Sequence, residues 1–126
     1  MTPDNTSTAA DLRRLALELP GTTEAPHFDR TAFRVRRIYA TLPRDGVTAN
    51  LRLSPDEQAH WCALLPSALR PVPNKWGDQG WTEVTLARLD RDDLAAVLRA
   101  AWRTGGGVSP KQTGGRSPDR SETRDT

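Results

Sequence analysis

The feature of this sequence that most constrains its fold is an abrupt change in composition after Trp102. Residues 8–102 carry apolar side chains in periodic patterns, whereas residues 104–126 contain a single aliphatic residue, Val108, among Gly, Ser, Thr, Pro and charged residues. Such a segment cannot bury enough surface to offset its ordering entropy, and a chain of 126 residues has room for one domain. We therefore predict three parts: a disordered N-terminus over residues 1–7, one soluble α+β domain over residues 8–102 and a disordered tail over residues 103–126.

Three stretches of the domain have the spacing and the end signals of amphipathic helices. Thr8 is typical of an N-cap with Asp11 in the first turn, and apolar residues then recur at i, i+3, i+4 and i+7 until Pro20-Gly21. The run Ser54-Pro55-Asp56-Glu57 combines an N-cap serine, a proline at the first helical position and a capping-box glutamate. Asp90 precedes the third stretch and predicts its N-cap.

Between the first two helices, apolar and polar residues alternate, which is typical of strands with one buried face. Phe33 and Val35 alternate with arginines, the alternation shifts near Arg36-Arg37, and Asp45-Gly46 predicts a tight hairpin. Trp81–Leu86 alternates in the same way. The predicted order is α-β(3)-α-β(2)-α. This is a two-layer α+β fold whose mostly antiparallel sheet is covered on one face by helices.

Several functional classes are disfavoured by the composition. One cysteine, Cys62, allows neither an internal disulfide nor a thiolate zinc cluster, and we interpret it as a small buried hydrophobe. His27 and His60 have no second ligand at metal-like spacing, so structural or surface roles are favoured for both. No nucleophile, acid–base pair, metal set or cofactor motif emerges, so we predict a protein that is not an enzyme and carries no cofactor or metal.

The chain also has no apolar run of the ~18 residues that a membrane span needs. Met1–Ala10 lacks the basic and apolar regions of a signal peptide. We therefore expect a cytoplasmic protein without a membrane partner, and a monomer by default.

Charge is distributed unevenly along the chain. The net charge of +2 comes from the segment after Trp102, which has five basic and three acidic residues, and 13 of each sign remain in the body. Within the body, eight basic and three acidic residues lie between Arg30 and Lys75. The basic isoelectric point is therefore no argument that the domain binds nucleic acid. Only this basic middle segment indicates an anionic partner.

Several short motifs occur in an order and spacing that match a known family. They are Leu19-Pro20-Gly21, Pro26-His27-Phe28, Phe33-Arg34-Val35, the run Ala49–Pro55 with Glu57, Arg70-Pro71-Val72-Pro73, and Lys75-Trp76-Gly77 leading into Gly80-Trp81-Thr82. Through them the chain resembles the MmcQ/YjbR family from about Leu12 to Trp102. The resemblance implies the same order of elements and DNA binding through a double-wing arrangement of strands and loops. It brings no catalytic residues. Where family members often carry Gly-Lys, this chain has Arg36-Arg37, which keeps the positive charge.

The candidate site combines a basic strand face with a loop that contains two tryptophans. Guanidinium groups in a row suit phosphates because each offers a forked donor and stays charged, and exposed indoles can stack on bases. The alternatives remain open: the arginines can be the solvated face of a half-covered sheet paired with acids, and the tryptophans can fasten the loop to the sheet. The predicted nucleic-acid-binding residues are Arg34, Arg36, Arg37, Arg52, Lys75, Trp76 and Trp81.

These observations predict a DNA-binding module of the MmcQ/YjbR type that makes phosphate contacts from its basic strand face. The alternative hypothesis is a protein-interaction or small-ligand-binding module with a chaperone-like α+β fold. The partner is accordingly DNA or another protein.

Overall fold

The computed structural model describes residues 6–108 of the chain. This part of the molecule contains four helices and six strands, which are connected by short turns. In chain order the elements are α1 (Ala9–Glu18), β1 (Thr23–His27), β2 (Arg30–Arg34), β3 (Ile38–Pro43), β4 (Thr48–Arg52), α2 (Pro55–Leu64), β5 (Leu69–Pro71), α3 (Lys75–Asp78), β6 (Trp81–Thr85) and α4 (Arg91–Thr104), with a 3-10 turn at Leu86–Arg88 before α4.

The six strands form one sheet in the order β1-β2-β3-β4-β6-β5, and every neighbouring pair is antiparallel. Phe33, Ala40 and Leu51 lie opposite one another on adjacent strands and are fully buried. They belong to the same core cluster as Leu12 of α1 and Leu98 of α4. The helices therefore cover one face of the sheet, and the fold class predicted from the sequence, two-layer α+β, is confirmed.

The helix starts follow from side chains that accept hydrogen bonds from the first turn. Thr8 and Asp11 form a reciprocal capping box at α1. Ser54 accepts from the Glu57 amide at α2 over 3.2 Å, but the Glu57 carboxylate accepts from the Trp61 indole instead of closing the box. The side chain of Asp90 accepts from the Asp93 amide at α4.

Four strands precede α2, where the sequence predicts three, and β1 is the additional strand. β1 contains Pro26 and is exposed along its whole length, so no hydrophobic periodicity marks it. β5 ends at Pro71 and lies at the other edge of the sheet, where a proline removes no interior ladder bond. The predicted irregularity before β3 is present, because the register between β2 and β3 shifts at Phe33/Arg34.

Packed structure is present on both sides of the predicted boundaries at residues 8 and 102. Ser7 is buried and donates from its hydroxyl to the Leu89 carbonyl over 2.8 Å. Helix α4 continues to Thr104, and the Gly105 carbonyl accepts from the Arg37 amide over 3.0 Å. Residues 1–5 and 109–126 lie outside the described residues. No helix within residues 6–108 is long and apolar enough to cross a membrane.

Candidate nucleic-acid interface

The face of the sheet opposite the helices is polar. Thr41, Asn50 and Glu83 are neighbours on β3, β4 and β6, and Arg70 of β5 lies beside Glu83. Strand alternation places these residues opposite the buried core row, because successive side chains point to opposite sides of a sheet. We call this side the open face.

A shallow groove crosses the open face. Its volume is about 270 Å³. Five of the six strands contribute to it, and the two remaining lining residues are Val72, which follows β5, and Trp76 of α3. We call it the cross-strand groove, and its lining residues are His27, Arg30, Thr41, Asn50, Val72, Trp76 and Trp81.

The centre of the groove presents hydrogen-bonding groups. The Arg30 guanidinium donates from Nε to the Thr41 hydroxyl over 3.1 Å, which holds the arginine across the sheet. Asn50 is half-buried beside Thr41. Within residues 6–108, neither the Asn50 amide nor the Trp81 indole N–H has a hydrogen-bond partner. A buried or half-buried polar group gains most from a partner that a ligand supplies.

Two glycines shape the segment from Val72 to Trp81, Gly77 by close packing within the segment and Gly80 by close packing against Leu53. Gly77 is buried so closely against the Val72 carbonyl that a Cβ would collide with it, and a Cβ at Gly80 would collide with the Leu53 carbonyl. Gly80 also has a φ of +101°, which disfavours any other residue. The segment around α3 is therefore fastened through its backbone.

One glutamine of α2 adds a second attachment to the same segment. The Gln58 amide nitrogen lies 3.0 Å from the Gly77 carbonyl, 3.1 Å from the Trp81 carbonyl and 3.2 Å from the Thr82 hydroxyl. The amide has two hydrogens for these three acceptors. This side chain links α2 directly to Gly77 of α3 and to Trp81 of β6.

These attachments distinguish between the two interpretations of the tryptophans. The backbone of Gly77 and Gly80, together with Gln58, holds the loop. Trp76 is 54% exposed in spite of its size, and Trp81 is half-buried on the open face next to Arg52. Trp102, by contrast, is buried and donates from its indole to the Pro20 carbonyl over 2.9 Å.

The predicted arginines fall into two groups. Arg34 and Arg52 each follow a buried core residue on strands that run in the same direction, so both project from the open face at the same end of the sheet. One strand separates them, which places their backbones roughly 10 Å apart at a spacing of ~4.8 Å per strand. Arg36 and Arg37 lie in the turn between β2 and β3, where the Arg36 side chain packs over Gly106 beyond the end of α4.

The charges of these arginines are not neutralised by neighbours. The five basic residues predicted for the site have no ion pair within residues 6–108: Arg34, Arg36, Arg37, Arg52 and Lys75. The carboxylate on the open face, Glu83, is 2.7 Å from the Arg70 guanidinium. Unpaired guanidinium groups on one face raise the local concentration of anions, including phosphates.

A hairpin tip borders the groove beside His27. Phe28 is 94% exposed, its backbone φ is +60°, and its ring meets the His27 ring edge-on with centroids 4.9 Å apart. A bulky residue in the left-handed region is uncommon. His27 is the last residue of β1, although the sequence around it has no alternation that would predict a strand.

Five of the groove residues are not among the site residues predicted from the sequence: His27, Arg30, Thr41, Asn50 and Val72. Asn50 and Thr41 carry a weak signal, since both alternate with core residues on strands that the sequence predicts. The positions of His27 and Val72 depend on the edge strands β1 and β5, whose side-chain pattern is uninformative, and Arg30 is the first residue of β2, before the buried residues of that strand.

Outside the groove, the other reactive side chains are dispersed. Cys62 is partly buried, and burial raises the pKa of its thiol, which opposes thiolate formation. Among residues 6–108, no three His, Cys, Asp or Glu side chains lie together as a metal-binding group.

Comparisons with known proteins agree with the geometry of the fold. The model of the YjbR family matches residues 17–104, well over half of the chain. The crystal structure of the Deinococcus radiodurans protein DR2400, with the family-model domain DUF419, superposes with a TM-score of 0.66 at 23% identity and covers 80% of each chain. At that identity the likeness concerns the fold alone. A search among curated proteins found no match.

Proposed function

This chain belongs to the YjbR family, and from the geometry of its open face we propose that it is a DNA-binding module without enzymatic activity. The observation that carries the proposal is the pair of guanidinium groups of Arg34 and Arg52, which project from the open face at the same end of the sheet and have no ion pair among the described residues. Phosphate oxygens are the partners that arginine forks bind best.

The proposed contacts divide by position. Arg34 and Arg52 bind phosphates on the open face, and Arg36 and Arg37 extend the basic surface around the turn that follows β2. Lys75 and Trp76 approach from α3, where the fastened backbone of Gly77 fixes their position. Phosphate contacts of this kind position the protein on nucleic acid without reading its sequence.

Salt-dependent binding of the full-length chain to fluorescently labelled DNA tests the proposal. Replacing Arg34 and Arg52 together by Ala should weaken binding about 5- to 30-fold at low salt and lower the slope of log K against log salt by roughly 1.5. The matched control is Arg14→Ala with Arg99→Ala, which also removes two positive charges, but from the exposed surfaces of α1 and α4.

Equal weakening by the two double variants would contradict the proposal, because it would mean that the binding follows net charge and not the open face. The same comparison separates the face from the basic residues after Trp102, which both variants retain. Absence of binding by the unaltered chain at low salt would also reject it.

A module that binds another protein is the second candidate. The observation in its favour is the exposure of Phe28 and Trp76 at the two sides of the groove, since exposed aromatic residues are enriched at protein interfaces. Recovery of one stoichiometric protein partner, unaffected by nuclease and lost in Phe28→Ala, would favour it over DNA binding.

A further inference from the structure

We infer that the cross-strand groove binds the unpaired bases of single-stranded DNA, with the surrounding arginines holding the strand's phosphates. The inference rests on the proposed function, because it names the form of nucleic acid that the same face would take. The inference depends mainly on the shape of the groove and its uncharged groups, whereas the proposed function depends on the charges of the arginines.

The groove combines aromatic surface with free hydrogen-bonding groups. Trp76 and Trp81 both line it, and Trp76 is largely open to solvent. Tryptophan rings provide stacking platforms for bases of any type. Between them and Arg30 lies the Asn50 amide, which within the described part of the chain has no partner for its donor or its acceptor. An amide can pair with the edge of a base only when that edge is free.

The dimensions favour a strand over a free small molecule. The groove runs from His27 on β1 to Trp81 on β6, and these strands are four spacings apart, roughly 19 Å at ~4.8 Å each. A volume of about 270 Å³ spread across that width makes a shallow site. Pockets for free ligands enclose most of the ligand surface and typically exceed ~300 Å³. An extended chain of nucleotides can lie along such a groove without being enclosed.

The surroundings of the groove supply the charge that a strand requires. Arg52 pairs in register with Trp81, so a cation lies directly beside a stacking surface. Arg30 lies at the middle of the groove with its Nε held by Thr41, which leaves its terminal nitrogens for an anion. Alternating cations and aromatic rings are the arrangement by which sheet surfaces bind single strands.

The backbone attachments of α3 make the site pre-organised. Gln58, Gly77 and Gly80 fix the segment that carries both tryptophans, so little ordering is needed when a strand binds. This rigidity predicts that binding quenches tryptophan fluorescence without a change in secondary structure.

Titration of the full-length chain with three DNA probes tests the inference: a short single-stranded oligonucleotide of mixed sequence, the corresponding blunt duplex, and a deoxymononucleotide. The single strand should bind more tightly than the duplex, and quenching should accompany it. Trp76→Ala should weaken single-strand binding between about fivefold and a hundredfold, and it should weaken duplex binding less, because the bases of a duplex are already stacked on one another. Trp76→Phe should retain most of the affinity, because a phenyl ring still stacks.

The amide has its own pair of variants. Asn50→Leu should weaken single-strand binding severalfold, whereas Thr48→Val, on the same strand and face but outside the groove, should leave it unchanged. Leu64→Ala removes an apolar side chain that is 58% exposed on α2 and controls for a general loss of exposed apolar surface. Circular dichroism of each variant establishes that the fold is retained.

The outcomes separate the inference from the proposed function. Equal affinity for strand and duplex, unaffected by Trp76→Ala and Asn50→Leu, overturns the inference and leaves DNA binding in place. No binding of either DNA form overturns both. If the mononucleotide binds saturably and as tightly as the single strand, the inference of a strand as ligand is overturned. The groove is then assigned to free nucleotides.

Discussion

Tyr39 is the chain's one tyrosine, and it is fully buried. Its hydroxyl lies 2.9 Å from the Thr22 hydroxyl. Burial raises the pKa of the Tyr39 phenol from 10.0 to about 12, and the hydrogen bond with Thr22 offsets part of the shift. Because the folded state keeps the phenol neutral, the unfolded state loses its proton first as the pH rises.

The stability of the fold should therefore decline in the alkaline range. Below pH 10 both states hold the proton and the contribution is complete, and between pH 10 and about 12 it is lost. The loss amounts to roughly 2–3 kcal/mol. Ultraviolet absorbance of tyrosinate, which here reports on one residue, should rise near pH 12 in the folded protein and near pH 10 in denaturant. A midpoint near pH 10 while circular dichroism is unchanged would contradict this.

Single residues also decide which predicted caps are complete. Thr8 and Asp11 form the reciprocal box that their sequence spacing permits, whereas Glu57 accepts instead from the Trp61 indole. The S-x-x-E pattern specifies the first hydrogen bond of a capping box, but the second depends on whether a nearby donor competes for the carboxylate.

At the scale of elements, α3 depends on contacts from outside itself. It has only four residues, too few for a stable helix in isolation. The Asn74 side chain accepts from the Trp76 amide over 2.9 Å. The Gln58 side chain of α2 donates to the carbonyls of Gly77 and Trp81. The position of Trp76 on the open face thus follows from a helix on the other face.

Replacing Gln58 by Leu should loosen this segment. The change leaves the Gly77 and Trp81 carbonyls with fewer donors, and we expect a loss of about 1–3 kcal/mol in unfolding free energy. Amide hydrogen exchange at Gly77 and Gly80 should accelerate more than exchange in α4. The control is Gln79→Leu, which alters an exposed glutamine of the same segment. Equal exchange rates in the two variants would reject the role assigned to Gln58.

The edge strands differ from the inner strands in how far the sequence predicts them. The inner strands β4 and β6 each have one buried face, so buried and half-buried residues alternate along them. β1 has no buried residue and β5 has one, Leu69. A strand without a buried face leaves no period of two in the sequence, and its pairing is decided by backbone hydrogen bonds with a neighbour.

At the scale of the whole molecule, the C-terminal end of the domain connects helix and sheet. The Arg37 amide donates to Gly105, Gly106 packs under the Arg36 side chain, and Gly107 lies against the ring of Trp102. These contacts join the end of α4 to the turn between β2 and β3, so they also fix the arginines of that turn.

Shortening the chain at its C-terminal end tests whether these contacts stabilise the fold. A chain ending at residue 102 loses the last turn of α4 and these attachments, and we expect its unfolding free energy to fall by about 2–4 kcal/mol. A chain ending at residue 108 should match the full-length protein, because residues 109–126 contain no apolar side chain that could add to the core. Urea denaturation of the three chains provides the comparison. Equal stability of the two shortened chains would show that residues 103–108 contribute nothing.

By itself, the sequence determined the fold class, the three long helices with their N-caps and the inner strands, because each of these depends on local periodicity or on side chains a few residues apart. It also identified Arg34 and Arg52 as basic residues beside core positions. Only the tertiary structure decided which of the basic and aromatic residues share a surface. The cross-strand groove joins Arg30, Thr41 and Asn50 to Trp76 and Trp81 through the order of the strands and the position of α3. A sheet brings residues together across its strands, and the pairing of distant strands depends on long-range contacts that no local pattern encodes.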